Sequence, residues 1–158
     1  MVKRIIFVFL VYFICMNQVF AYEHIDTWGS KKDGVVAEFI KDGLFLKIEI
    51  YDDELNDEYT DSIFILQRGS TYILERKRTE DRNTYRNFNT FRNELKELII
   101  EIFADASSRF YGDKRVFLMD ENASYSPAND RLLNRTIGKI LKEFEITNKW
   151  NTSPNESA

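Results

Sequence analysis

Hydrophobic positions change period twice along this chain, and the changes divide it into elements. Residues 34–51, GVVAEFIKDGLFLKIEIY, alternate apolar and polar side chains on both sides of Asp42-Gly43. Alternation with a period of two predicts half-buried strands, and a D-G pair between two such runs predicts a hairpin. In the second run Leu44, Leu46, Ile48 and Ile50 share one face, with Phe45, Lys47 and Glu49 on the other. After an acidic stretch, SIFILQ (62–67) and TYILERK (71–77) repeat the pattern around Arg68-Gly69-Ser70. Residues 34–78 therefore predict a four-stranded antiparallel meander. Residues 22–33, YEHIDTWGSKKD, carry no clear period and are expected to form a lead-in.

The period then lengthens. Tyr85, Phe88, Phe91, Leu95, Leu98, Ile99, Ile102, Phe103, Ala106 and Phe110 recur mostly at spacings of three and four. That spacing predicts one long amphipathic helix, stopped at Gly112. RVFLM (115–119) is expected to be a short fifth strand and DENASYSP a loop. Ser126 and Pro127 suit the N-cap and first position of a last helix. Its stripe is Leu133, Ile137, Ile140, Leu141 and Phe144, with Trp150 expected to close the domain. Strands first and helices later, ββββ-α-β-α, predict an α+β fold. The expected organisation is one domain over residues 22–150 and a disordered polar tail over residues 151–158.

The first residues read differently. MVKR is basic, IIFVFLVYFICM is apolar, and NQVFA places Val19 and Ala21 at the small positions favoured for cleavage. This is the pattern of a secretory signal removed after Ala21, and the apolar run is short for a bilayer span. Cys15 lies inside that run, not at its end, which disfavours a lipoprotein. Cleavage leaves no stable membrane span and takes away the only cysteine. With Lys3 and Arg4 gone, 20 basic and 26 acidic side chains remain, a net charge of -6. A chain without thiols excludes disulfides, a thiol nucleophile and a Cys-based zinc site. The expected location is the periplasm or the outside of a bacterial cell.

Candidate chemistry is sparse. The single histidine, His24, lies three residues past the expected cleavage point and is expected to be solvated, not a metal ligand or a triad base; no phosphate-binding glycine motif is present. The acids Asp52, Asp53, Glu54, Asp57, Glu58 and Asp61 invite a calcium test. An EF-hand needs glycine sixth and glutamate twelfth. From Asp52 those places hold Asp57 and Ile63, and from Asp53 they hold Glu58 and Phe64. No cofactor, metal or catalytic residue is assigned. Four sequons occur, at Asn122, Asn134, Asn151 and Asn155. Asn122, in a loop and preceded two residues earlier by Asp120, is the best placed for glycosylation.

Residues 76–94, RKRTEDRNTYRNFNTFRNE, interleave cations with aromatics, as surfaces for single-stranded nucleic acid do. On a helical wheel, however, Arg82 and Arg86 point away from Tyr85, Phe88 and Phe91, and the acidic balance argues against a nucleic-acid partner. In a meander, the end of the fourth strand lies beside the start of the third. Arg76, Lys77 and Arg78 should thus meet the Asp52–Asp61 acids at one end of the sheet. Together they point to an exported binding domain, of inhibitor or immunity type, with Asp52, Asp53, Glu54, Asp57, Glu58, Asp61, Arg76 and Arg78 as the contact for a protein partner, expected to be basic. Two other classes compete. A ligand carrier would have a cavity lined by Phe45, Phe64 and Phe103. A hydrolase or nuclease would use carboxylate or Arg/Tyr chemistry, with acids buried in a cleft.

Overall fold

The computed structural model describes residues 22–30, 32, 34–54, 56–110, 116–120, 122 and 124–148. The segments 1–21 and 151–158, together with Gly112, Arg115 and Trp150, lie outside the described residues. The α+β class is shown: an antiparallel sheet comes first and two helices follow. The sheet has six strands, not four, in the order β1-β2-β3-β4-β5-β6. They are Glu23–Gly29 (β1), Val35–Asp42 (β2), Phe45–Asp52 (β3), Asp57–Arg68 (β4), Thr71–Arg76 (β5) and Asp81–Tyr85 (β6). The helices are Phe88–Arg109 (α1) and Asp130–Glu143 (α2), the second entered through a 3-10 turn at Pro127–Asn129.

The two expected hairpins are present, and their turns explain the glycines. Gly43 (φ +60°) and Gly69 (φ +58°) each open a two-residue loop, closed by the pairs Asp42↔Phe45 and Arg68↔Thr71. Positive φ at the first loop position is the type II′ geometry, which matches strand twist and costs glycine least. Leu44 belongs to this turn and is half exposed, so the buried face of β3 starts at Leu46.

Both extra strands lack the alternation that betrays a strand. β1 contains a register shift between His24 and Asp26, so Ile25, Asp26 and Trp28 are all buried. A bulge breaks the period of two, and this is why residues 22–33 read as a lead-in. β6, DRNTY, is a polar edge strand with almost no buried position. Residues 81–85 were expected inside the long helix. They pair instead with β5, from Tyr72↔Tyr85 to Arg76↔Asp81. The helix begins only after Asn87, whose side chain accepts from the Thr90 N–H. The described part of RVFLM, residues 116–119, is likewise no strand of the sheet. Residues 117–118 turn, and Met119 makes one isolated bridge to Tyr125.

One face of the sheet carries the core. Ala37, Phe39, Leu46, Ile48, Ile50, Ile63, Ile65, Tyr72 and Leu74 meet Phe91, Leu95, Ile99, Ile102 and Phe103 of α1 and Leu133, Ile137 and Ile140 of α2. α1 lies across β4, β5 and β6, and α2 lies against β1 and α1. Trp28 joins the two halves, with Phe39 at 4.7 Å and Phe103 at 5.0 Å between ring centroids. No described element covers the opposite face. Phe45 and Phe64 pair there, 5.5 Å apart, with Lys77 and Arg82 over their rings.

Gly29 and Gly138 separate two roles of glycine. A Cβ on Gly29, at φ +78°, would stand 2.2 Å from a ring carbon of Phe117 and 2.5 Å from the Val35 carbonyl. Gly138 has open space around it on the solvent side of α2. Gly29→Ala should therefore lower unfolding free energy by at least about 2 kcal/mol. Gly138→Ala should raise it by roughly 0.5–1 kcal/mol through helix propensity. Urea denaturation of both variants checks the pair.

Candidate functional site

The acidic stretch proves to be mostly strand. β4 starts at Asp57, so the alternation that buries Ile63 and Ile65 extends backwards and places Tyr59 and Asp61 on the core face. Asp61 is only 5% exposed and Asp52 only 1%. Both were expected at a solvated hairpin end. Continuing Tyr72 and Leu74 by two residues brings Arg76 to the same face, 4% exposed.

Arg76 and Asp61 meet there as a buried ion pair. The guanidinium Nε and Nη2 donate to Asp61 Oδ2 at 2.8 Å and 2.7 Å. Nη2 also donates to Asp105 Oδ2 of α1 at 2.6 Å, and Nη1 lies 3.5 Å from Glu101. The other Asp61 oxygen accepts the Ser62 N–H at 2.7 Å. Burial works against charge on Arg76, but Asp105 and Asp61 more than offset it and raise its pKa. The Tyr59 hydroxyl completes the group, accepting from Arg78 Nη1 at 2.7 Å and from Arg76 Nη2 at 3.3 Å. Burial, then Asp61 and Asp105, push its pKa up. Tyr59 thus holds its proton near neutral pH and serves as a hydrogen-bonding post.

The remaining acids divide. Asp57 is forked by Arg109 at the end of α1, with the closer contact at 2.9 Å. Asp52 accepts the Glu54 N–H at 2.9 Å and turns the chain. Asp53, Glu54 and Glu58 are exposed. So the geometry brings Asp61, Arg76 and Arg78 together and joins Asp57 to them through Arg109. It sets Asp53 and Glu54 apart at the hairpin tip, while Glu58 stands exposed on β4 beside Tyr59. Tyr59, Glu101, Asp105 and Arg109 complete the cluster but were not singled out from sequence. Opposite charges at core-face positions of adjacent strands, Asp61 and Arg76, were the available signal.

Two adjoining recesses open beside this cluster, of about 430 Å3 and 510 Å3, and share Tyr59, Arg78 and Arg109 as lining. Thr60, Asp61, Ser62 and Lys77 line the first; Thr79, Asp105 and Ser108 line the second. Among the described residues, no carboxylate lies within ion-pair distance of Lys77 or Arg78. Lys77 rests over the Phe45 ring and Arg78 over the Tyr59 ring.

Other residues raised by the sequence lie elsewhere. Phe45 and Phe64 are on the face opposite the helices whereas Phe103 is on the helix side, so the three do not line one cavity. Arg82 sits over Phe64 and Arg92 donates to Asn134 at 2.9 Å. The cations of residues 76–94 are thereby spread over both faces of the sheet. Asn122 is exposed in a turn, its N–H bound by Asp120. His24 contacts Thr27 at 2.6 Å. Among the described residues no cluster of three or more His, Cys, Asp or Glu is arranged to hold a metal. No described helix is long and apolar enough to cross a membrane.

A second buried charge fastens the far side of the sheet. Asp26 of β1 accepts from Lys139 at 2.7 Å and from the Thr136 hydroxyl, which in turn accepts the Trp28 indole N–H at 2.9 Å. Burial raises the Asp26 pKa, but the hydrogen bonds from Lys139 and Thr136 outweigh it and hold the carboxyl below its ordinary value. Comparison with protein-family models, with curated proteins and with solved structures gives no match.

Two of the buried anions, Asp61 and Asp26, give separate tests. Arg76→Met strands the Asp61 charge and should cost about 3–5 kcal/mol, whereas Arg76→Met with Asp61→Leu should recover most of that loss. Denaturation of the single and double variants measures it. A depressed carboxyl pKa stabilises the fold above its unfolded value, near 3.9, and that stability is lost as pH falls through the folded value. Melting temperature should fall on acidification below about pH 4, and Asp26→Asn should remove part of that slope.

Proposed function

We propose that the chain is an exported binding domain, of inhibitor or immunity type, that engages a protein partner through the charged end of its sheet. The observation that carries this reading is the pair Lys77 and Arg78. They are two cations at a recess that Asp61 also lines, yet among the described residues neither has a carboxylate within ion-pair distance, and they stand beside Tyr59 and next to a cluster that Arg76 holds in place. A rigid, internally cross-linked base that presents unspent charge suits recognition. Its groups need not reorganise when a partner arrives. Asp53 and Glu54 add exposed negative charge at the neighbouring hairpin tip, where a basic partner surface would fit. Export is supported by the basic, apolar and small-residue order of residues 1–21.

Two of the buried acids bear on the hydrolase reading. Asp61 has both oxygens engaged, by Arg76 and by the Ser62 N–H, and Asp26 is held ionised. Neither is arranged to donate a proton to a substrate. The separation of Phe103 from Phe45 and Phe64 removes the cavity on which the carrier reading rested.

Affinity capture from the exporting compartment, with the secreted chain as bait, tests the proposal. The expected result is a protein retained by the native chain and by Lys142→Glu, a distant surface control. Lys77→Glu with Arg78→Glu, or Asp53→Lys with Glu54→Lys, should lose it. Equal retention by every variant would place recognition elsewhere and sink the assignment of this site.

A further inference from the structure

β4 is twice the length of its neighbour β5, and the excess lies entirely at one end. β5 ends at Arg76, opposite Ile63, so residues 57–62 of β4 extend past it. On their other side these residues remain paired with β3, through Asp52↔Asp57 to Lys47↔Ser62.

The direction of the exposed main-chain groups follows from two hydrogen bonds. The Ile65 N–H donates to the Leu44 carbonyl on the β3 side, at 2.9 Å. The Ser62 carbonyl accepts the Lys77 N–H on the β5 side, at 2.9 Å. With a period of two, odd residues of β4 direct their main chain to β3 and even residues direct it outward. Thr60 therefore aims its N–H and C=O, and Glu58 its C=O, at the space β5 would occupy if it were longer. The Glu58 N–H is taken by Asp57 Oδ1 at 2.9 Å and the Ser62 N–H by Asp61 Oδ1. The overhang is a short length of open edge inside a six-stranded sheet. Lys77 and Arg78 stand where β5 turns away from it, and both line the recess together with Thr60 and Ser62.

We propose that this overhang is a docking edge for an extended, carboxylate-bearing segment of the partner protein, added as a short extra strand. The inference rests on the reading of the chain as a protein-binding domain and names what the partner must bring. Main-chain groups of the incoming segment pair with Thr60 and Glu58, as in strand addition. Its carboxylates meet Lys77 and Arg78, so charge sets the register and the edge supplies the pairing. The same geometry explains why the edge stays open in the free chain. Asp57 and Glu58 flank it with negative charge, and an inward carboxylate, Asp61, sits beside it, features that discourage indiscriminate edge pairing.

The probe is a hexaglutamate peptide titrated at low salt into the secreted chain, with amide chemical shifts followed by NMR. Saturable shifts are expected at Thr60, Ser62 and Lys77. Lys77→Glu with Arg78→Glu should weaken binding by at least about tenfold. Thr60→Pro removes the outward N–H while leaving the β3 ladder intact, and should weaken it roughly fivefold. Should that variant fold poorly, hexaglutamate N-methylated at alternate residues asks the same question of the native chain, and should fail to bind. Binding indifferent to both Thr60→Pro and N-methylation would overturn strand addition while leaving a charge-based partner site in place. A captured partner that depends on Lys77 and Arg78, together with no hexaglutamate binding, would overturn the docking edge alone. Preference for a thymidine hexanucleotide over hexaglutamate would also overturn it, by assigning the cations to phosphate.

Discussion

A guanidinium withdrawn from water destabilises a fold unless counter-charges and hydrogen-bond acceptors surround it. Arg76 meets that demand with groups from two other elements: Asp61 and Tyr59 of β4, and Asp105 and Glu101 of α1. The position of the long helix over the sheet is thereby tied to one side chain. Arg109 forking Asp57 repeats the link one turn further along α1. The geometry of the recess, and of the β4 overhang beside it, depends on this clamp. Tyr59 is oriented from below by Arg76 and from above by Arg78. Ion pairs of this kind add little net stability, yet they disfavour every arrangement in which the charges are separated. Here the favoured arrangement is the one that sets Arg78 on Tyr59 and Lys77 on Phe45, with no ion-pair partner for either among the described residues.

The central meander and both helical stripes were legible in the sequence because each has an uninterrupted period. Leu46, Ile48 and Ile50 alternate, and Phe91, Leu95, Ile99, Ile102 and Ala106 keep helical spacing without exception. The parts that were not legible each break a period for a physical reason. β1 carries a bulge at Ile25 and a buried acid at Asp26. β6 is an edge strand, which needs polar residues to remain unpaired on one side, and so looks like a loop or a helix entry. Tyr85 lies at a helical distance from Phe88 by coincidence, since the chain turns between them at Asn87.

The candidate site shows the same division. Connectivity alone placed Arg76 and Arg78 near Asp61, and the structure puts them there. Exposure was misjudged, because charge was taken as a sign of solvent. Had the alternation of Ile63 and Ile65 been carried back across Asp61 to Tyr59, the acid would have fallen on the core face. A charged residue in phase with a hydrophobic strand is a demand for a partner, and Arg76 is in phase on the next strand. The helical contributors, Asp105 and Arg109, depend on where α1 crosses the sheet, which no local pattern encodes.

The fastening of β1 to α2 bears on how the chain assembles as it is made. Every strand pair joins sequence neighbours, so the sheet can zip from hairpin to hairpin with small loop-closure cost. Trp28 and Asp26, by contrast, find Thr136 and Lys139 more than a hundred positions later. The first strand to emerge is consequently among the last to be secured, and until α2 arrives its bulged edge and the Trp28 ring have no cover from that helix. Order of synthesis and order of consolidation thus run in opposite directions for β1 and α2.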